Sequence, residues 1–314
     1  MPQLGKLLSL KTSSYLTGII FSLITMFLWG VLPIFLKISL QGFEAGTISW
    51  FRFLFAFLVL AAILRWKMDQ PFYILRKPPW MGILGGVCLS ANYYWALLGI
   101  DLSGPSNMAV LIQTASVFLA LAGVYIFNER LALRQILGIF IVVSGLSLFF
   151  HDQLSRILDA SDYYFADFLI VMAGLIWVGY MVSQKFLSRI YGAQSLNLLV
   201  YGVASFTLIG GVEWVDFTRA GITAWLSLIF CGVNTLLAYG ALAEAVKYLP
   251  LALISVIISL NPLITLLGMN ILPKMGFAGL QTEPVGALGY LGGVIAVSGV
   301  MLVVYRQRDA GSEE

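Results

Sequence analysis

The sequence predicts an all-α integral membrane protein of ten transmembrane helices, built as two inverted five-helix repeats with both termini in the cytoplasm. Three observations carry that expectation. Of 314 residues, 60% are hydrophobic and only 11% charged, against about 25% charged in an ordinary soluble domain, so lipid is the expected solvent. Apolar runs of about 20 residues, the length that crosses a bilayer, recur along the chain. The two halves also match. Trp29-Gly30 and Lys37 recur as Trp177 and Lys185 at an offset of 148. Tyr94, Pro105, Thr114 and Ser116 recur as Tyr239, Pro250, Ser259 and Asn261 at an offset of 145. Val143-Ser144-Gly145 recurs as Val297-Ser298-Gly299 at an offset of 154. A duplicated block of hydrophobic helices is the build of a secondary transporter, with its site near the bilayer midplane between the repeats.

The spans follow in order. A cytoplasmic tail, 1–16, precedes a first repeat, 17–150, with helices at 17–38, 47–65, 80–99, 105–127 and 134–150. A linker, 151–164, lies on the periplasmic or extracellular side. The second repeat, 165–305, places helices at 165–187, 194–212, 222–244, 251–271 and 285–305, and a cytoplasmic tail, 306–314, ends the chain. The first apolar run carries Trp29 and Pro33 and lacks a small-residue cleavage site, so it is expected to be a retained helix and not a signal peptide. Orientation follows from Lys and Arg in the connections. With the N-terminus inside, the cytoplasmic segments hold Lys6, Lys11, Arg65, Lys67, Arg76, Lys77, Arg130, Arg134, Lys185, Arg189, Lys247, Arg306 and Arg308. The outer segments hold Lys37, Arg156, Arg219 and Lys274. Five helices is an odd number, so the second repeat enters the membrane upside down relative to the first.

Composition also narrows function. A net charge of +3 gives no reason to expect nucleic acid as a partner. Cys88 and Cys231 lie in apolar segments and read as small buried hydrophobes. His151 is the single histidine, which argues against a multi-His metal site, and no cofactor is expected. A membrane-embedded enzyme would need convergent catalytic groups; one His in a loop and no mid-span Asp argue against one. The expected partners are a small-molecule substrate and the lipid bilayer, with the chain a monomer or homodimer in the inner (plasma) membrane.

Trp29-Gly30-x-x-Pro33-x-x-x-Lys37 in the first helix, with five plus five inverted helices, resembles the EamA-type branch of the drug/metabolite transporter superfamily. Asn128-Glu129-Arg130-Leu131, then Gln135, Gly138 and Ser144-Gly145, is similar to that family's passage from helix 4 to helix 5. Asn261-Pro262-Leu263 is similar to its helix-9 pattern, and the resemblance covers about residues 15 to 306. One departure stands out. Where the family repeats Glu-Arg-Leu between helices 9 and 10, this chain has Leu272-Pro273-Lys274-Met275 and a longer segment to Glu283-Pro284. The resemblance implies movement of a small solute, often export of amino acids or other metabolites. Multidrug or quaternary-amine export and metabolite uptake are the alternatives within transport. Small multidrug-resistance relatives use an acidic residue in helix 1; this helix has none, so that proton-coupled mechanism does not carry over.

The candidate substrate-binding residues are Trp29, Asn92, Tyr93, Tyr94, Gln113, Thr114, Trp177, Tyr180, Asn234, Tyr239 and Asn261. Thr25, Trp29, Pro33 and Lys37 recur every four residues, which places them on roughly one side of helix 1; a polar face is costly against lipid and should turn to protein or water. Pro33 should kink that helix. Asn92, Tyr93, Tyr94 and Trp95 are consecutive, so only some can face a cavity. Asn107, Gln113, Thr114 and Ser116 in helix 4 and Ser255, Ser259 and Asn261 in helix 9 gather small polar groups at one depth, and Trp177, Tyr180 and Gln184 add a helix-6 contribution. Most also have a packing explanation: interhelical hydrogen bonds for the amides and close approach for the small residues. The lining is aromatic and amide-rich with almost no fixed charge, which suits a neutral, zwitterionic or amphipathic solute. Arg52 is the one clear intramembrane charge; its position near the outer end of helix 2 fits snorkelling, a backbone carbonyl or Glu44 as partner equally well with function. Glu129 precedes helix 5 and is expected to cap it.

Overall fold

A computed structural model describes residues 2–70, 72–103, 111–151, 164–272 and 286–304. Eleven helices of eight or more residues build the bundle among the described residues: α1 (Pro2–Ser39), α2 (Ala45–Lys67), α3 (Trp80–Ser103), α4 (Thr114–Phe127), α5 (Leu133–Phe149), α6 (Tyr164–Leu187), α7 (Ala193–Leu208), α8 (Ile222–Tyr248), α9 (Leu251–Ile258), α10 (Asn261–Ile271) and α11 (Ala287–Val304). No strand occurs among the described residues. Among the described residues, six stretches are long and apolar enough to cross a membrane: Ser14–Ser39, Ala45–Lys67, Phe165–Leu187, Ala193–Gly211, Ile222–Tyr248 and Leu251–Met269. The shorter helices α4, α5 and α11 are equally apolar. The outside of the bundle is greasy: Phe140, Phe206 and Tyr125 lie exposed, and Trp66 and Trp80 sit exposed near helix ends, where aromatic belts meet the membrane–water boundary.

The principal helix contacts follow a two-fold pattern. α1 packs along α8, and α6 packs along α3; α2 meets α8 as α7 meets α3; α10 lies on α1 as α4 lies on α6. The pairs α2 with α7, α5 with α11 and α4 with α9 complete the set. If α1 to α5 are matched to α6 to α11 in order, with α9 and α10 together standing for one helix, each contact has its counterpart.

The α5–α11 contact is backbone on backbone. A Cβ on Gly145 would stand 2.7 Å from the Gly292 carbonyl, and one on Gly299 would stand 2.8 Å from the Val142 nitrogen. Small residues permit this approach, and dispersion replaces the hydrophobic effect as the attraction between helices in lipid. Gly145→Val is therefore expected to cost about 1–3 kcal/mol through overpacking, read as a lower thermal midpoint of the detergent-purified protein; an unchanged midpoint would refute the contact.

Two expected helices differ from the sequence reading. The ninth span, expected as one helix over 251–271, is interrupted at Ser259–Leu260 between α9 and α10. Pro262 sits in the first turn of α10; it has no N–H to give and its ring crowds the carbonyl four residues back. The Leu263 N–H then bonds the Leu260 carbonyl at 3.1 Å in a tighter turn, which frees the Ser259 carbonyl. The fourth span breaks at Ile112–Gln113 before α4 begins, and its expected start, with Asn107, lies outside the described residues. Here the Ala115 N–H turns to the Ile112 carbonyl and the Thr114 hydroxyl donates to the Leu111 carbonyl at 2.6 Å. The longer segment after Leu272 and most of the linker 151–164 also lie outside the described residues. α1 runs through Pro33, which is exposed, while Thr25 is fully buried. A four-residue step overshoots one turn by about 40°, so the expected single face drifts out of the bundle after two steps.

Candidate functional site

The two halves meet at an aromatic centre. Trp29 of α1 and Trp177 of α6, the repeat-matched tryptophans, contact edge to face with centroids 5.7 Å apart. Tyr239 of α8 lies 5.4 Å from Trp29, and Tyr180 of α6 lies 5.8 Å from Tyr239. Tyr93 of α3 reaches the same place: its hydroxyl is 3.2 Å from the Tyr239 hydroxyl. Five of the candidate residues thus converge from four helices. Phe53 and Tyr201, not anticipated, join them, with Phe53 centroids 4.9 Å from Tyr93 and 6.2 Å from Tyr201. Tyr180, Tyr201 and Tyr239 are essentially fully buried.

Tyr94 does not join. It is 56% exposed on the outside of the bundle, because neighbouring helical positions are about 100° apart and Tyr93 takes the inward one. The offset-145 match of Tyr94 to Tyr239 is therefore one residue out; Tyr93 is the residue that meets Tyr239.

Arg52 does join. It is 1% exposed; Nε donates to Thr235 Oγ1 at 2.9 Å and Nη2 donates to Tyr93 Oη at 3.1 Å. Its Cζ stands 5.0 Å from the Tyr93 ring centroid, a cation–π distance. Neither snorkelling nor Glu44 accounts for it. Glu44 lies at the N-cap of α2, where its own backbone N–H donates to Asp216. Thr235 is midway along α8 (Ile222–Tyr248), about 20 Å from either end at 1.5 Å per residue. Arg52 is therefore level with the middle of the bundle, although it is close to the start of α2. The expected lining of almost no fixed charge is corrected to one that contains a guanidinium.

The amides serve the frame around this centre. Asn92 Nδ2 donates to the Ala173 carbonyl at 2.9 Å and Asn234 Nδ2 donates to the Leu28 carbonyl at 2.7 Å. These two bonds tie α3 to α6 and α8 to α1, the equivalent pairs. Gln184 donates to Asn197, whose Nδ2 donates to the Tyr239 carbonyl at 3.0 Å, which fixes α7 against α8.

The broken helices adjoin the same centre. Gln113 Nε2 donates to the freed Ser259 carbonyl at 2.7 Å, so one break supplies the hydrogen bond that the other lacks. Thr114 is absorbed by its own turn. Asn261 begins α10 against Gly30, where a Cβ would stand 2.7 Å from the Asn261 carbonyl, and Thr265 Oγ1 donates to the Gly30 carbonyl at 2.6 Å. Gly30 follows Trp29 in α1. Irregular backbone at membrane depth is tolerated where protein or a cavity covers it.

Glu129 has a different role from the one expected. It does not cap α5, whose preceding Ala132 N–H bonds Gln135. Its carboxylate reaches across to α9, accepting from the Leu251 N–H at 2.9 Å and the Ala252 N–H at 3.3 Å. Pro250 at that N-cap has no side-chain acceptor of its own, so the helix takes its anionic cap from the other half. Lys185 stands 3.9 Å from Glu129 and donates to the Val246 and Leu249 carbonyls at the end of α8. A separate apolar recess of about 300 Å³ lies between α5, α10 and α11, lined by Phe149, Leu263, Leu267 and Val297 among others. It offers hydrocarbon contacts.

Comparison with known proteins fits this architecture. The model of the EamA-like transporter family matches twice, at residues 16–151 and 164–305. An "Uncharacterized inner membrane transporter YhbE" of Escherichia coli is 34% identical over 295 residues, covering 90% of each chain. An "Uncharacterized transporter" of Haemophilus influenzae is 32% identical over 288 residues, covering 91% of this chain and 94% of its own. A "Probable amino-acid metabolite efflux pump" of Escherichia coli is 22% identical, over 92% of this chain and 95% of its own. A solved crystal structure shares the fold with a TM-score of 0.72 at 16% identity, covering 93% of this chain and 97% of that one. The chain belongs to the EamA-like transporter family and is a multi-pass protein of the inner membrane.

Proposed function

We propose that this protein is a secondary transporter that exports an amino acid or a related amphipathic solute by alternating access, with no enzymatic step. In this reading ten spans cross the membrane with both termini in the cytoplasm. The repeats 17–150 and 165–305 are inverted, and 151–164 links them on the outer side. The observation that carries it is the meeting of Trp29 and Trp177, 5.7 Å apart, at the junction of the two matched halves and beside two interrupted helices. Transporters with inverted repeats bind substrate at such a junction, where discontinuous helices leave backbone groups free. The aromatic walls suit an apolar side chain, and Arg52 with the tyrosine hydroxyls suits a polar end. The name of the Escherichia coli relative at 22% identity, "Probable amino-acid metabolite efflux pump", supports the substrate class by analogy. No Asp or Glu is among the described buried residues, so exchange or downhill flow is the proposed mode in place of proton coupling.

The test is counterflow. Proteoliposomes loaded with unlabelled amino acid are diluted into trace labelled amino acid, one amino acid at a time. A transient accumulation above protein-free vesicles is expected for at least one; no accumulation with any would overturn the reading. Gln113→Ala removes the bond that joins the two breaks. It is expected to slow the flux about tenfold, the equivalent of one hydrogen bond, with membrane insertion intact; a wild-type rate would take Gln113 out of the site.

A further inference from the structure

Arg52 keeps its charge at any physiological pH, and it is among the largest fully buried side chains. A charge there is tolerated when it is paired. Its hydrogen bonds go to two neutral hydroxyls, Thr235 Oγ1 and Tyr93 Oη, and a guanidinium has five N–H groups to place. No Asp or Glu is buried among the described residues, and the described ion pairs, Glu129–Lys185 and Glu244–Lys247, do not involve it. Thr235 cannot help further, since its own proton goes to the Cys231 carbonyl.

The hydroxyls nearby have the same surplus. Tyr180 Oη and Tyr201 Oη are buried without a hydrogen-bond partner. Both rings pack on Tyr239, with centroids 5.8 and 6.4 Å away, and the Tyr239 hydroxyl contacts that of Tyr93. Asn234 Oδ1 is the unpartnered buried acceptor among the described residues, so donors outnumber acceptors in the centre. A carboxylate supplies what it lacks: about four lone-pair sites and no proton, in a planar shape that a guanidinium grips with two parallel bonds. Among the described residues the centre holds no carboxylate to pair with an ammonium group, and the Arg52 charge repels one there, although the ring faces attract cations.

We infer that the substrate site recognises an organic carboxylate through Arg52 and the tyrosine hydroxyls, and that it does not require an α-ammonium. The inference rests on the transport reading above and narrows its substrate class to carboxylates with an apolar or aromatic body, whether or not they carry an amine. The same charge disfavours quaternary amines as substrates.

Three probes with one body separate the charges: N-acetylphenylalanine carries the carboxylate alone, phenylalanine both groups, and phenylalanine amide the ammonium alone. Each is titrated against the detergent-purified full chain while the thermal midpoint is followed, because a ligand bound to the folded state raises it. The two carboxylates are expected to raise the midpoint and the amide to leave it unchanged. Arg52→Leu is expected to weaken carboxylate binding by about tenfold or more. Arg52→Lys, a point charge without the fork, is expected to fall between. Tyr201→Phe keeps the ring and deletes a buried hydroxyl that has no partner. It is expected to raise the midpoint of the ligand-free protein and to weaken carboxylate binding, a pair of changes that a packing role does not give, and it tests the site even if Arg52→Leu fails to fold. An amide that binds as tightly as N-acetylphenylalanine, carboxylate binding unchanged in Tyr201→Phe and in whichever Arg52 variant folds, or no shift of the wild type with any probe would each overturn the inference. Counterflow decides the transport reading separately: amino-acid flux alongside amide binding would leave transport standing and remove carboxylate recognition alone.

Discussion

Trp29→Ala is expected to reduce counterflow by at least about tenfold while the protein still inserts in the membrane and purifies as a single species. The indole touches Trp177 and Tyr239 at once, at 5.7 and 5.4 Å, so among the described residues it is the one ring that contacts both a partner on α6 and a partner on α8. Edge-to-face pairs contribute about 0.5–1.5 kcal/mol each beyond the area they bury, and losing two of them at a substrate wall corresponds to about a tenfold or larger loss of rate. Trp29 is only partly buried, whereas Trp177 is 7% exposed. Trp177→Ala should therefore also cost stability, about 3–5 kcal/mol as for other buried aromatic truncations, and makes the less clean test. Counterflow normalised to reconstituted protein, with gel filtration of the same preparation, separates the two effects. Wild-type flux in Trp29→Ala would move the substrate site away from the aromatic centre.

The second large effect is expected at Glu129. Glu129→Ala leaves the Leu251 and Ala252 N–H groups at the start of α9 without their acceptor and leaves Lys185 without the carboxylate 3.9 Å away. An unsatisfied buried backbone donor costs about 1–3 kcal/mol. The loss should appear as a lower thermal midpoint in detergent and, because the contact joins the two halves at one end of the bundle, as faster labelling of the interior from that end. In the proposed orientation that end is cytoplasmic. Glu129→Gln keeps one acceptor oxygen and should lie between alanine and wild type. A midpoint unchanged in Glu129→Ala would show that the cap carries no load. An unchanged labelling rate with a lowered midpoint would leave Glu129 as a cap alone, without a closing role.

Much of this site was legible before the structure. Apolar runs located the helices, and the duplicated Trp29 and Trp177 named the two walls that meet. Tyr93 was legible in the polar and aromatic run 92–95 of helix 3, Tyr239 as the repeat match of Tyr94, and Tyr180 beside Trp177 in helix 6. Three features were not legible, each because it depends on a partner distant in sequence. The break at Ser259–Leu260 is stable because the Gln113 amide, 146 residues away, satisfies the Ser259 carbonyl. Pro262 signalled a disturbance, but not its partner. Glu129 sits four residues before α5 in the chain and looked like its cap, while the N-terminus that lacked a cap belonged to α9. Arg52 looked peripheral because depth was counted along α2 alone; its neighbours Thr235 and Tyr93 place it at mid-bundle. Tyr201 carried no signal of its own, being one tyrosine in an apolar run.

The inner part of the aromatic centre is shielded in this structure, with Trp177 at 7% and Tyr239 at 2% exposure while Trp29 and Tyr93 are partly exposed, so a solute reaches Tyr239 only when the bundle opens. The decisive measurement places a cysteine at Thr235, a small residue whose hydroxyl faces Arg52 in the centre, with Cys88 and Cys231 replaced by alanine, and applies a membrane-impermeant maleimide to right-side-out and to inverted vesicles in turn. Slow labelling from both faces, reduced by a transported amino acid, is the result expected of a site that opens alternately to each side. Labelling from neither face would contradict transport through the Trp29–Trp177 junction.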